Sequence, residues 1–211
     1  SVIPDYSNLA LFMLATVTLN ITPGPDLLYV IAQSIGQGRG AGIVSSLGIA
    51  SGCLVHTTAV TFGITGLFLV VPAAYDIVRY VGAAYLVYLG YKVLTSPSGL
   101  PTSPEIKRRS LRGIFWQGVV TNVLNPKVAL FFMAFLPQFV DRNAESVPLQ
   151  MLFLGLMFIA SGTIVCITVA LVASGAGDWV RTRAGANGIL KWVSGFLFVG
   201  LGLRLALLER K

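Results

Sequence analysis

Asn20-Ile21-Thr22-Pro23-Gly24-Pro25-Asp26 breaks an apolar run that extends over residues 6–33. A second stretch, Asn122-Val123-Leu124-Asn125-Pro126-Lys127, breaks the run over 113–137 in the same way. Each break falls near the middle of its run, and each opens the second half of the run with proline followed by a charge. Proline removes a backbone donor and clashes with the preceding turn, at about 3 kcal/mol in a helix interior. Pro23-Gly24-Pro25 is more severe than a single kink. Backbone of this kind is tolerated inside an apolar span only where protein or a water-lined cavity satisfies it.

The solvent around these runs follows from composition. The chain has 211 residues, of which 55% are hydrophobic and 11% charged, and its mean hydropathy is +0.80. Soluble domains carry roughly 25% charge, and a fold of this length cannot hide so much apolar surface. Lipid is the remaining solvent. The net charge of +7 does not point to nucleic acid, because the basic residues fall in a few short loops. Cys53 and Cys166 each lie inside an apolar run and read as small core residues, not as a disulfide or metal ligands. No Lys or Arg precedes Arg39, and the first apolar stretch is too long for a cleavable leader, so it is expected to remain in the mature protein.

A transmembrane helix needs about 20 mainly apolar residues. Six such spans are expected, at 6–33, 41–64, 67–94, 113–137, 147–173 and 187–208. The fold class is therefore all-α and polytopic. Pro72, Asp76 and Arg79 interrupt the third span, which is expected to begin in earnest near Ile77; without it there would be five spans. The polar stretch 95–112, TSPSGLPTSPEIKRRSLR, is a proline-bearing, basic linker. It divides the chain into a first repeat, 1–94, and a second, 113–211, of three spans each. An odd number of spans per half starts the second half on the opposite face, so the halves form an inverted repeat. With six spans, Arg39, Lys92, Lys107, Arg108, Arg109, Arg112, Arg181, Arg183 and Lys191 share one side. Arg79, Arg142, Arg204, Arg210 and Lys211 share the other. The more basic side is cytoplasmic, which puts the linker inside and both termini outside.

Interrupted spans at matching places in two halves point to a transporter's binding site; two ordinary proline kinks are the plainer alternative. Asp26, in the first turn after Pro25, suits the helix dipole and is open to a capping role. Lys127, in the first turn after Pro126, is opposed by it. It also lies about 15 Å from the span's outer end by helical rise, too far for easy snorkelling. An ion pair with Asp26 or the carboxylate of a substrate would offset its cost, and the two breaks are expected to meet. His56, the only histidine, follows Gly48-x3-Gly52-x3 on a face that admits a close helix neighbour. It suits either a proton relay or a hydrogen-bonded packing role. Gly36-Gln37-Gly38-Arg39-Gly40 has no strand before it and reads as a turn, not a phosphate loop. Gly195, Gly200 and Gly202 suit helix packing. Trp116, Trp179 and Trp192 fall where interface anchors do. Tyr85, Tyr88 and Tyr91 form one stripe, open to cavity lining but better suited to packing.

At these residues the chain resembles a known family. Asn20-x-Thr22-Pro23-Gly24-Pro25-Asp26, Gly48-x3-Gly52-x3-His56, Gly82-Ala83-Ala84-Tyr85-Leu86-x-Tyr88-Leu89-Gly90 and Asn125-Pro126-Lys127-x-Ala129-Leu130-Phe131-Phe132 look like the LysE family. Within it, the homoserine/threonine exporter (RhtB) branch is the nearest. Pro137-Gln138-Phe139 and Gly200-Leu201-Gly202-x-Arg204-Leu205 also resemble that branch, and the likeness covers nearly the whole chain. The resemblance implies a bacterial inner-membrane exporter of neutral amino acids or derivatives, such as homoserine, threonine or leucine. It also implies drive from the proton gradient, and it places the family's break, acid and Asn-Pro-Lys on Gly24, Pro25, Asp26, Asn125, Pro126 and Lys127.

The mechanism expected from both lines is alternating access around a midplane site. The helix starts after Pro25 and Pro126, with Lys127, would hold the substrate carboxylate. Asp26 would hold its ammonium or a coupling proton. Asn20, Thr22, Asn122 and Asn125 would add hydrogen bonds. The expected partners are an amino acid, protons and the bilayer, with a homodimer possible through the glycine faces. Neither cofactor nor metal is expected, and no catalytic constellation marks an enzyme. The rivals are a cation exporter, which would need more ligands than Asp26, His56 and the cysteines provide, and a membrane scaffold that transports nothing.

Overall fold

A computed structural model of the chain describes residues 5–64, 109–140 and 146–175 without a gap. It also describes the helical positions 76, 77, 80, 81, 83, 84, 87, 88, 91, 94, 95, 196, 199, 200, 203, 206 and 207. Among the described residues every regular element is a helix, and the chain is a polytopic membrane protein. Pro72, Arg79, Tyr85, Trp179, Trp192, Gly195, Gly202 and most of the linker fall outside the described residues, as do the third and sixth span boundaries. Asp76 and Ile77 are both helical.

The first span is two helices. Helix α1, Tyr6–Ile21, ends where Pro23 forces Thr22 out of the helical region (φ −71°, ψ 123°). Gly24 is extended, and Pro25 opens α2, Pro25–Gln37, at a position where its missing N–H costs nothing. A single residue then reverses the chain. Gly38 has φ +84°, a left-handed conformation that favours glycine, and α3 begins at Arg39. Helix α3, Arg39–Thr58, continues as wider π-helical turns over Ala59–Ile64.

The fourth span breaks as the first does. Helix α4, Leu111–Val123, is capped by the Ser110 side chain, which accepts from the Gly113 N–H. Leu124 and Asn125 leave the helix, and α5, Pro126–Leu130, starts with proline again. Its direction continues through π-helical turns at Phe131–Phe135 and a 3₁₀ turn at Leu136–Phe139. The two parts meet at 48°. Helix α6, Val147–Gly175, has 29 residues and a length of about 44 Å, more than a hydrocarbon layer of about 30 Å requires. By length and composition α3 with its extension, α6 and the bent α4–α5 pair can each cross a bilayer.

Glycines set the helix spacing. A Cβ on Gly48 would meet the Phe115 carbonyl and the Gly118 Cα, so α3 and α4 touch backbone to backbone. Gly155 on α6 admits Thr57, and Gly162 admits Asn20. One end of the bundle is aromatic. Phe12 meets Phe139 edge-on at 5.4 Å, Phe135 lies 4.7 Å from Phe139, and Phe132 lies 4.8 Å from Phe158. Val60, Val140 and Met151 belong to the same buried cluster. This end therefore gathers the start of α1, the extension of α3, the end of the fourth span and the start of α6.

The opposite end is polar. The Gln37 side chain donates to the Arg109 carbonyl at 2.9 Å and accepts from the Arg109 N–H at 2.6 Å. The Tyr29 hydroxyl donates to the Ile114 carbonyl at 2.8 Å. The Gly38 turn and the end of the basic linker thus share one side, and Ile64 and Arg109 lie at opposite ends of the bundle. Trp116 is exposed at the outside of α4. Tyr88 and Tyr91 are also exposed.

Candidate functional site

The two breaks meet in the bundle. Lys127 lies in the first turn of α5, where the helix dipole opposes it, but its side chain leaves that turn. Its ammonium donates to the Thr22 carbonyl at 3.0 Å and the Leu19 carbonyl at 3.1 Å. These oxygens belong to the C-terminal turn of α1, which Pro23 leaves without donors. A cation there is stabilised both by hydrogen bonds and by the dipole of α1. Gly24 makes room for it: a Cβ at that position would stand 2.9 Å from the Lys127 nitrogen.

Asp26 sits in the first turn of α2. Its Oδ2 accepts from the Asn122 amide at 2.8 Å, which ties the start of α2 to the last turn of α4. The ammonium of Lys127 is directed to the α1 carbonyls and not to the Asp26 carboxylate, so the direct ion pair is replaced by a backbone contact. Asn122 is fully buried, and its backbone carbonyl lies 3.1 Å from His56 Nε2. The Asn125 side chain caps α5 by accepting from the Lys127 N–H at 3.0 Å. Three buried atoms here have no hydrogen-bond partner: Asp26 Oδ1, Asn122 Oδ1 and Asn125 Nδ2.

The other anticipated residues divide by role. Asn20 donates to Ser161 Oγ at 3.2 Å, joining α1 to α6. The Thr22 hydroxyl turns back to the Thr18 carbonyl, so its carbonyl and not its side chain faces Lys127. Pro23, Pro25 and Pro126 face outward and act through the breaks they cause. His56 stacks at 6.0 Å from the Phe132 ring and lies behind Asn122, away from the cavity described next.

A cavity of about 30 Å³ lies between the breaks, lined by Asp26, Lys127 and Asn20 together with Leu19, Leu27, Ser46, Ile49, Ala50, Cys53, Val128, Phe158, Ile159, Gly162, Thr163 and Cys166. It presents one acid and one base within mostly apolar walls. Both cysteines are buried free thiols. The α6 wall was not anticipated from sequence. Its only sign is Ser161-Gly162-Thr163, a small polar patch midway along an otherwise apolar span. Among the described residues no group of three His, Cys, Asp or Glu side chains gathers to hold a metal ion.

The family model described as LysE type translocator matches residues 17–209. The chain is similar to the leucine efflux proteins of Salmonella choleraesuis and Salmonella typhimurium, at 29% identity over 208 residues, covering 94% of this chain and 94% of each relative. No solved structure matches the chain. Two spans broken at proline, joined through Lys127 and Asp26, lie in a chain that the family's model matches over residues 17–209, and this chain belongs to the LysE type translocator family.

Proposed function

We propose that this protein exports a neutral aliphatic amino acid, leucine foremost, out of the bacterial cytoplasm across the inner membrane, by proton antiport and not by any enzymatic reaction. The observation that carries this is the cavity itself, where Asp26 and Lys127 stand on one small space between apolar walls. A zwitterion with an aliphatic side chain complements all three features. Its carboxylate would take the Lys127 ammonium from the α1 carbonyls, exchanging neutral acceptors for a charged one. Its ammonium would face Asp26, and its side chain would lie against Ile49, Phe158 and Ile159. The name shared by the similar Salmonella proteins supports leucine as the first substrate to try.

A cavity of about 30 Å³ has room for about two water molecules and not for leucine. Substrate entry therefore requires the halves to part, as alternating access does. The repeats are 1–94 and 113–211, joined by a cytoplasmic linker at 95–112. The shared side of Gln37 and Arg109 supports placing Arg39 and the basic linker together on the cytoplasmic face. A cysteine introduced at Ser110 should react with an impermeant maleimide in inside-out vesicles and not in intact cells. The reverse pattern would overturn the orientation.

Efflux of labelled amino acids from loaded proteoliposomes tests the function. Leucine should leave faster when a pH gradient is imposed, and faster than lysine or glutamate. If no amino acid moves from vesicles holding folded protein, the export function is wrong.

A further inference from the structure

We infer that Asp26 carries the coupling proton, as a neutral carboxylic acid held across the two halves by Asn122. This deepens the antiport proposed above and rests on it for its place in a transport cycle.

Two observations support it. The first is the set of atoms left over around the Asp26–Asn122 bond. Asn122 donates its amide to Asp26 Oδ2 at 2.8 Å. Each group then has one oxygen remaining, Asp26 Oδ1 and Asn122 Oδ1; the unpaired buried amide nitrogen of Asn125 can reach Asp26 as a second donor, which still leaves Asn122 Oδ1 an acceptor without one. Two acceptors cannot satisfy one another. A proton on the carboxyl turns one of them into a donor, and an amide with a carboxylic acid can then both give and take a hydrogen bond. The second observation is the direction of Lys127. A buried carboxylate is costly unless a cation is bonded to it, yet the nearby ammonium donates to Leu19 and Thr22. A neutral Asp26 has no such requirement, which leaves Lys127 free to hold the end of α1.

Asp26 is faced by titratable groups from three of the helices packed around it. Lys127 comes from α5, His56 and Cys53 from α3, and Cys166 from α6. Helix α4 contributes the uncharged Asn122, and Leu19-Asn20-Ile21 of α1 carries no titratable side chain. Lys127 is thus the cation that can answer a negative Asp26 once the proton has gone.

The exchange step follows. The Oδ1–H bond of Asp26 breaks and its proton passes to water on the cytoplasmic side. The carboxylate left behind receives the ammonium of the incoming amino acid, while Lys127 takes its carboxylate. On the outer side the amino acid leaves and Asp26 takes a proton from water. One carboxyl holds either the proton or the substrate's ammonium, so the two cross in opposite directions. In this cycle Asn122 is a positioning residue: it fixes the protonated carboxyl and lies behind it, off the cavity.

Infrared difference spectroscopy on protein reconstituted in lipid tests this. Among eight acidic residues, a carbonyl-stretch band of a protonated carboxyl should be present near neutral pH, shift in D₂O and fall when leucine is added. It should be missing from Asp26→Asn and move in frequency in Asn122→Leu, where its hydrogen-bond partner is gone. Growth on carboxyl-¹³C aspartate assigns the band in the wild-type protein to the five aspartates as a class, and whichever of the two variants folds picks out Asp26 among them. A band that survives in Asp26→Asn, or that is unmoved by labelled aspartate, would overturn the assignment. So would wild-type protein that moves leucine without showing the band. The band in protein that moves no amino acid would support the proton site while refuting export.

Discussion

Lys127→Met is expected to lower amino-acid export by about a hundredfold or more, corresponding to at least ~2.7 kcal/mol, while the chain still inserts into the membrane. The substitution removes the cation for the substrate carboxylate. It also leaves the Leu19 and Thr22 carbonyls, now bonded at 3.1 and 3.0 Å, without their donor. Hydrogen bonds to a charged group contribute about 1.5–3 kcal/mol each, so a lowered melting temperature should accompany the lost transport. Lys127→Arg separates the two effects. It keeps the charge and therefore part of the α1 contact, but a planar guanidinium does not replace a compact ammonium packed against Gly24. Its stability should recover more than its transport. Proteoliposome efflux and thermal unfolding of the purified variants measure both quantities, and undiminished export by Lys127→Met would remove Lys127 from the site.

Gly48→Leu should prevent folding altogether. The new side chain would begin in the Phe115 carbonyl and the Gly118 Cα, both backbone atoms that no rotamer change can move aside. Inserting bulk into a packed contact costs about 1–3 kcal/mol when neighbours can shift, and here α3 and α4 would have to separate along their length. Separation would also pull Asn122 from Gly52, whose own Cβ would stand 2.7 Å from the Asn122 side chain, and from His56. Detergent extracts should lose the monodisperse peak on size-exclusion chromatography. Gly40→Ala is the control, because a Cβ there meets nothing within 4 Å. A wild-type profile for Gly48→Leu would mean that the close α3–α4 contact is not the one the chain uses.

The breaks could be read from sequence because proline's effect is local. Thr22 is extended because of Pro23, and α5 begins where Pro126 allows, whatever lies around them. The glycine face of α3 was legible for a similar reason, since only a close neighbour explains Gly48-x3-Gly52. What the bound groups do was less accessible. Lys127 called for a partner, and Asp26 and a substrate carboxylate were the candidates a side-chain inventory offers. The partner in the structure is a pair of main-chain oxygens, which every residue carries and no sequence pattern marks. The α6 wall was hidden because Phe158, Ile159 and Cys166 are residues that any apolar span contains. His56 was placed on the correct face by periodicity, but its position behind Asn122 depends on the α3–α4 crossing, which one helix's spacing does not determine.

The contact between Lys127 and the end of α1 also bears on how the protein is made. Its partners, Thr22 and Leu19, precede it by 105 and 108 residues. At about 5–20 residues per second, a ribosome needs on the order of 5–20 s to add the lysine after finishing the carbonyls that receive it. Throughout that interval the broken first span is already synthesised, with a severed helix end and an aspartate whose amide partner does not yet exist. Water or the insertion machinery has to supply those bonds until the second half arrives. The amino-terminal repeat is therefore an unfinished object in lipid, and a chain stopped within the linker would present the cell's quality control with the exposed polar backbone that such surveillance removes.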